Sequence, residues 1–124
     1  MNRDEIFDWV RQQYGTEPEY PWHDRNAVLR HTENRKWYGV ILEVSKNKLG
    51  FLDEGKVDIL NVKCEPMLIG SYRTQDGFYP AYHMNKDKWI SILLDKPELD
   101  EKIKTLLALS FELTNNKSKE QRKY

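Results

Sequence analysis

The sequence contains a single cysteine, Cys64, in 124 residues. No disulfide can therefore form within the chain, and the cysteine usage gives no sign of an oxidising compartment. Long apolar runs are absent as well: charged residues begin at Arg3, and no stretch approaches the roughly 20 apolar residues that span a bilayer. From these absences we expect a cytoplasmic protein that does not contact a membrane.

An excess of either charge is also absent. Twenty basic and twenty acidic residues cancel, and the pI calculated from the sequence is about 6.8. Proteins that bind nucleic acid strongly and without sequence preference usually carry a basic surface and a high pI. The balanced charge argues against a uniformly basic binder, so any contact with phosphate would depend on a local group of cations.

Motifs of catalytic and metal sites are missing too. The three histidines, His23, His31 and His83, stand far apart in the chain, and none has an Asp, Glu, His or Cys at a metal-ligand spacing that recurs elsewhere. The chain has no glycine-rich phosphate loop, HExxH helix, paired-carboxylate motif or Ser-His-Asp order. We therefore expect no metal, no cofactor and no enzymatic activity. An enzyme or small-ligand binder would need a pocket around His83 and Asp87.

The cysteine and the histidines have simpler explanations than reactivity. Cys64 lies beside Lys63 where a strand meets a helix start, which would favour an activated thiolate. Free cysteine is nevertheless among the most buried residue types, so we expect a buried thiol. Histidine as a residue type can change charge near neutral pH, so His31 and His83 could adjust charge-dependent binding. For them we expect half-buried, hydrogen-bonded imidazoles.

What the sequence does contain is a succession of periodic apolar segments. Helical spacing predicts a first helix over residues 3–14, with Asn2 and Glu5 forming a capping box and Gly15 ending the helix. Further helices and β-branched or apolar strands are predicted along the rest of the chain. The helices are expected over 66–73 and from 97 onward, and the strands over 26–31, 37–44, 57–63, 78–82 and 89–94.

The order of these elements, α-β-β-β-α-β-(β)-α, is a two-layer α+β pattern. In such a pattern the helices pack on one face of an antiparallel sheet. A chain of this length can form one domain whose core is large enough without metal or disulfide. We place that single domain at residues 1–114 and predict a basic, flexible tail over residues 115–124.

One segment is distinctive: HMNKDKW, residues 83–89, which leads into an apolar strand. Asn85 is expected to cap a turn, and Trp89 to mark the entry of the chain into the core. Together with residues 57–66 and 110–113, this segment resembles the MmcQ/YjbR family over essentially the whole chain. The resemblance implies a small DNA-binding protein with a double-wing, secretion-chaperone-like architecture.

The resemblance also implies which residues contact DNA. The wings would be the two connections between the first three strands, and the cations at hairpin tips would neutralise phosphates and release counterions. Binding of that kind has weak sequence preference. The predicted DNA-binding residues are Arg35, Lys36, Lys46, Lys48, Lys56, His83, Asn85, Lys86 and Lys88. For this to work, side chains from separate loops must converge into one continuous surface; otherwise they are ordinary solvated turn residues.

Family members commonly carry histidine where this chain has Lys88, so no role that rests on that imidazole carries over. The chain also has more aromatic residues than a core of this size needs, and some must reach the surface. They could stack on unpaired bases beside arginines, or line a protein-binding groove or dimer contact. These residues are Trp22, Trp37, Tyr38, Tyr72, Phe78, Tyr79 and Tyr82. DNA is therefore the suspected partner, and the alternative is a chaperone- or adaptor-like protein-interaction module with no nucleic-acid role. In either case we expect a monomer or a weak dimer.

Overall fold

A computed structural model describes residues 1–115 of the chain. The predicted tail therefore lies outside the described residues from position 116 onward. The structure has three α-helices and five β-strands within the described part, which confirms the predicted α+β order. In chain order they are α1 (Arg3–Tyr14), β1 (Ala27–Arg30), β2 (Trp37–Ser45), β3 (Lys56–Lys63), α2 (Pro66–Arg73), β4 (Phe78–Pro80), β5 (Trp89–Leu93) and α3 (Asp100–Leu113). No helix within residues 1–115 combines the length and apolar character needed to cross a bilayer.

The first helix begins and ends where its local sequence dictates. The Asn2 side chain accepts a hydrogen bond from the Glu5 backbone N–H at 2.9 Å, and the Glu5 carboxylate accepts from the Asn2 backbone N–H at 3.0 Å. This reciprocal pair is the predicted capping box, and it satisfies backbone donors that have no partner inside the helix. Gly15 ends the helix with a left-handed φ of 67°, a conformation that glycine adopts without steric cost.

The five strands form one antiparallel sheet in the order β1-β2-β3-β5-β4. Successive side chains of a strand point to opposite faces, so each central strand contributes to two apolar layers. In β2, Ile41 packs in the larger cluster with the helices, whereas Val40 and Leu42 belong to a smaller cluster on the other face. The helices therefore cover one face of the sheet, as the predicted two-layer pattern requires.

A bulge at the start of β2 interrupts this alternation. Leu29 pairs with Gly39, but Arg30 pairs with Trp37, so Tyr38 is an extra residue on β2. Regular alternation would have placed Tyr38 on the side of Val40, yet Tyr38 is completely buried in the helix-side core. The same shift sends Trp37 to the opposite face, where it packs against the smaller cluster.

The face of the sheet opposite the helices is covered in part by two connecting segments. Residues 19–25 run beside β1, held by hydrogen bonds between Glu19 and Val28 at 2.8 and 3.0 Å. Residues 81–84 cross β3 and β5, because the buried side chains of Asn61 and Ser91 bind the backbone of Tyr82 at 2.8 and 3.0 Å. A cleft remains between these two segments.

An ion pair joins α1 to the end of the sheet. The Arg3 guanidinium donates two parallel hydrogen bonds to the Asp58 carboxylate of β3, each at 2.8 Å, and a further bond to the Arg25 carbonyl. The Arg3 side chain is only 10% exposed and that of Asp58 22%. Such a bidentate pair fixes the orientation of both elements, and neither charge can be removed without leaving the other in a largely dry site.

The last helix differs from the prediction at its start. The sequence predicts helix from Pro97, but Pro97–Leu99 form a 3-10 turn and the α-helix begins at Asp100. The turn has no side-chain cap, and Leu99 is buried. Because Leu99 packs in the core, the chain forms a 3-10 turn, which is tighter than an α-helical turn, before α3 begins. The spacing of apolar residues in the sequence does not indicate this difference.

Candidate nucleic-acid interface

The two predicted wings lie at opposite ends of β2. The first wing, residues 31–36, precedes β2, and the second wing, residues 46–55, follows it. Both neighbouring strands are antiparallel to β2. The nine residues of β2 separate the wings by about 30 Å at the usual rise of a strand. The expectation that all predicted cations converge is therefore wrong, because an antiparallel order puts consecutive connections at opposite ends of the sheet.

The turn that precedes β5 lies at the same end as the first wing. Trp89 pairs with Lys63 of β3, and the neighbouring Val62 pairs with Gly39 of β2. Because β5 lies two strands away from β2, the turn and the first wing are separated by about 10 Å across the sheet. Arg35 and Lys36 thus form one group of predicted residues with Asn85, Lys86 and Lys88.

Asn85 has the capping role that its position in the turn predicts. Its side-chain oxygen accepts a hydrogen bond from the Asp87 N–H at 2.8 Å, and its carbonyl accepts from the Trp89 N–H at 2.9 Å. The Lys88 carbonyl accepts from Cys64, and the Lys86 carbonyl from Arg73, each at 2.8 Å. The backbone of the turn is therefore held in place while both lysine side chains are exposed.

Three of the predicted cations are paired with acids. Lys46 binds Asp53 at 2.7 Å, Arg35 lies 3.7 Å from Glu19, and Lys56 lies 4.0 Å from Glu43. The hydrogen bond from Lys46 holds the pKa of the Asp53 carboxyl below its usual range, so this carboxylate stays ionised at neutral pH. The pair of Arg35 reduces the positive potential at the first wing, and the pairs of Lys46 and Lys56 reduce it at and beside the second wing.

Four predicted lysines are exposed and form no ion pair within residues 1–115. They are divided between the two ends of the sheet. These residues are Lys36, Lys86 and Lys88 near the first wing, and Lys48 in the second. Their ammonium groups are the ones that remain available to a polyanion.

A cleft lies on the face of the sheet opposite the helices, and two tryptophans dominate it. Trp22 and Trp37 meet edge to face, with ring centroids 5.9 Å apart and an interplanar angle of 84°. The Arg30 guanidinium carbon lies 5.8 Å from the Trp37 ring centroid, in the range of a cation–π contact. The tryptophan cleft has a volume of about 470 Å³ and is lined by Trp22, Asp24, Asn26, Trp37, Val40, Leu42, His83 and Met84.

The bulge in β2 and the segment beside β1 bring the two tryptophans together. The bulge turns Trp37 toward this face. The backbone hydrogen bonds between Glu19 and Val28 hold the segment that contains Trp22 beside β1. Asp24 then accepts hydrogen bonds from the Asn26 backbone and side chain, which fixes the rim of the cleft. The Trp22 side chain remains 46% exposed, so a ligand can reach its ring.

A second depression, of about 220 Å³, adjoins the tryptophan cleft. The two share Asn26, Leu42 and His83. The lysine depression is lined by Asn26, Leu42, Glu43, Val44, Ser45, Lys48, Lys56, Tyr82 and His83. Predicted residues Lys48, Lys56 and His83 are thus brought together here, although Lys46 and the first-wing group are not.

The sequence pointed to part of this site. Trp22, Trp37 and Tyr82 belong to the predicted surplus of aromatic residues, and only Trp22 among those seven is exposed. The positions of Asp24 and Asn26 at this cleft were not predicted from the sequence. A short Asp-x-Asn spacing before a strand is typical of a turn, and it was the only available signal.

Among residues 1–115 no three His, Cys, Asp or Glu side chains are placed to share a metal ion.

His31 is not part of either depression. It is buried against Tyr38 and Phe111, and its Nε2 lies 2.7 Å from the Thr114 hydroxyl. That hydroxyl donates to the Ser110 carbonyl, so the imidazole Nε2–H must be the donor to Thr114. Burial lowers the pKa of His31 below its ordinary value of 6.5. His31 therefore has a structural role as a neutral, hydrogen-bonded side chain.

This burial predicts a pH dependence of stability. As the pH falls below about 6.5, the unfolded chain binds a proton at His31 while the native chain does not. We expect the urea midpoint to decrease between pH 7.5 and 5.5, and the decrease to be smaller in a His31→Gln variant. A His23→Gln variant is the control, since His23 is exposed. An unchanged pH profile in His31→Gln would contradict this assignment.

Cys64 is buried, as predicted, and burial raises the pKa of its thiol. The neighbouring Glu65 raises the pKa further by charge repulsion of the thiolate. We expect a disulfide reagent such as dithionitrobenzoate to react slowly with the native protein and rapidly in denaturing urea. Equal rates in the two conditions would show that the thiol is accessible.

Comparisons with known proteins point to one family. A family model described as YjbR matches residues 11–113 of the chain. The uncharacterized Bacillus subtilis (strain 168) protein YyaQ is 44% identical over 116 residues, which cover 92% of this chain and 98% of that protein.

Solved structures agree with this similarity. A crystal structure of a Pseudomonas syringae protein is 40% identical, with a TM-score of 0.89 over 93% of this chain and 100% of that one. The fold is similar to that of a Deinococcus radiodurans protein at 20% identity, with a TM-score of 0.62 over 86% of this chain and 75% of that one.

Proposed function

This chain belongs to the YjbR family, and from its exposed, unpaired lysines we propose that it is a small nucleic-acid-binding protein. It contacts phosphates through side chains at both ends of the sheet and has weak sequence preference. The observation that carries this proposal is the set of four exposed lysines that have no acidic partner within residues 1–115, namely Lys36, Lys48, Lys86 and Lys88. These ammonium groups have no acidic partner in the described part of the chain, so they can replace counterions on a polyanion although the net charge of the chain is zero.

The separation of Lys48 from the other three lysines supports this proposal. The ends of β2 are about 30 Å apart, which is close to the length of about 34 Å over which duplex DNA completes a turn. The positions of the lysines therefore favour two separate contacts with one strand or one duplex over binding along one continuous basic surface. The resulting affinity is modest, because few phosphates are neutralised.

The proposal is tested by titrating the protein into fluorescently labelled duplex and single-stranded DNA at about 50 mM and about 200 mM salt. With about four phosphate contacts, we expect affinity to fall about a hundredfold between the two conditions. A labelled, uncharged peptide nucleic acid of the same sequence serves as the control. Absence of binding at low salt, or equal binding of the neutral analogue, would contradict the proposal.

A second candidate function, self-association, is favoured by a different surface. An apolar groove of about 260 Å³ lies between α2 and α3, lined in part by Leu68, Leu106, Leu109 and Leu113. Met67, on the same turn of α2 as Leu68, is 86% exposed. Exposed apolar patches of this kind mark protein contacts, and we infer that a second copy of the chain is the partner. Analytical ultracentrifugation should then show a dimer whose proportion increases with protein concentration. A Leu109→Lys variant should remain monomeric. If the parent protein is monomeric at every concentration, self-association is ruled out.

A further inference from the structure

We propose that the tryptophan cleft holds one unpaired base of a single-stranded nucleic acid, and that the lysine depression holds an adjoining phosphate. This inference rests on the proposed nucleic-acid binding and adds the kind of strand and the place of contact. It explains why an apolar cleft and a cationic depression adjoin on the same face of the sheet.

The cleft has the lining that a flat aromatic ring needs. Val40 and Leu42 form an apolar floor, and Trp22 and Trp37 present aromatic surface beside it. Its volume of about 470 Å³ is within the range of roughly 300–1,000 Å³ found for small-molecule sites. Stacking of a base on such a ring tolerates any base, because each has a π-face. Weak sequence preference follows from this geometry.

The charges around the two depressions orient the strand. The Asp24 carboxylate lines the tryptophan cleft, where its negative charge repels a phosphate. Lys48, Lys56 and Glu43 line the neighbouring depression; Glu43 is paired with Arg25 at 3.0 Å and lies 4.0 Å from Lys56, whereas Lys48 has no acidic partner within residues 1–115. The base therefore enters the apolar side, and its phosphate lies on the cationic side, with His83 between them.

A duplex cannot use this cleft. A base inside duplex DNA is stacked on both faces and paired along its edge, so its ring reaches a protein pocket only after it leaves the stack. The cost of unstacking is absent for a single strand. The inference therefore predicts that single-stranded DNA binds more tightly than duplex DNA of the same length at the same salt concentration.

The decisive probe is a single-stranded oligonucleotide whose central positions are abasic, compared with the intact oligonucleotide of the same length. The phosphates are identical in the two, so only the base contact differs. We expect the abasic strand to bind about tenfold more weakly and to lose most of the tryptophan fluorescence quenching. This comparison uses the parent protein and needs no variant to fold.

Variants supply the matched controls. Trp22→Leu changes an exposed ring in the cleft, and Trp9→Leu changes a half-buried ring on the helix side of the sheet. We expect Trp22→Leu to weaken binding of the intact strand about tenfold and to leave binding of the abasic strand unchanged, whereas Trp9→Leu changes neither. Lys48→Gln should weaken binding of both strands.

The outcomes separate this inference from the proposed function. If intact and abasic strands bind equally well, with the same salt dependence, the base is not in the cleft and only the phosphate contacts remain. If no strand binds at low salt, both the inference and the proposed function are wrong. Tighter binding of duplex than of single strands would also overturn the inference.

Discussion

Replacing Asp58 by alanine is expected to lower the free energy of unfolding by about 3 kcal/mol. The change leaves the Arg3 guanidinium, whose side chain is 10% exposed, without the carboxylate that accepts its two 2.8 Å hydrogen bonds. A charge left unpaired in a largely dry site costs more than the pair contributes. Urea unfolding followed by circular dichroism measures the effect as a lower midpoint at an unchanged slope.

A double-variant cycle checks the reason for this loss. In an Arg3→Met background, Asp58→Ala removes a carboxylate that has already lost its main partner, and we expect it to cost about 1 kcal/mol or less. The Met side chain keeps much of the apolar contact of the arginine stem. If the costs of the two single changes simply add, the ion pair does not couple α1 to the sheet and this explanation fails.

Charge reversal at three unpaired lysines is expected to weaken binding of DNA at least about a hundredfold at low salt. The variant combines Lys36→Glu, Lys48→Glu and Lys86→Glu, so it removes cations at both ends of the sheet. Each lost phosphate contact also reduces the slope of log affinity against log salt by about 0.7 to 0.9. Fluorescence anisotropy over a range of salt concentrations measures both effects.

The matched control reverses three lysines on the helix side instead, namely Lys96, Lys102 and Lys104. It changes the net charge of the chain by the same amount, so it tests location rather than total charge. These side chains have partners of their own in Asp76, Gln75 and Glu101, and circular dichroism of each variant confirms that it folds. Equal losses of binding in the two triple variants would mean that long-range charge, not the wings, determines binding.

Local signals in the sequence were enough to predict most of the fold. The capping box at Asn2 and Glu5 and the left-handed Gly15 act within one helical turn, so the ends of α1 could be predicted correctly. Pro66 at the start of α2 is equally local. The antiparallel sheet with helices on one face follows from the order of the elements, because each element must bury its apolar face.

The candidate site depends on contacts that no local signal reports. Trp22 and Trp37 meet because one extra residue at Tyr38 rotates the strand, and the need for that bulge arises from packing in the helix-side core. Arg3 and Asp58 pair across 55 residues of sequence. Partners of this kind are set by tertiary structure.

The same limitation applies to the predicted cations. Lys46 and Asp53 lie seven residues apart on the second wing, yet only the folded connection brings them to 2.7 Å. The number of charged residues can be read from the sequence, but the ion pairs that form between them in the folded protein cannot. For this reason the nine predicted residues separate into paired ones, such as Lys46, and unpaired ones, such as Lys48.

The most direct test of the account is to titrate ¹⁵N-labelled protein with a short single-stranded oligonucleotide and to record the backbone and indole N–H shifts by NMR. If a base binds in the tryptophan cleft and a phosphate beside Lys48, the indole signals of Trp22 and Trp37 move together with the amides of Lys48 and His83, and the indole signal of Trp9 does not move. Shifts confined to the groove between α2 and α3, or no shifts at low salt, would contradict it.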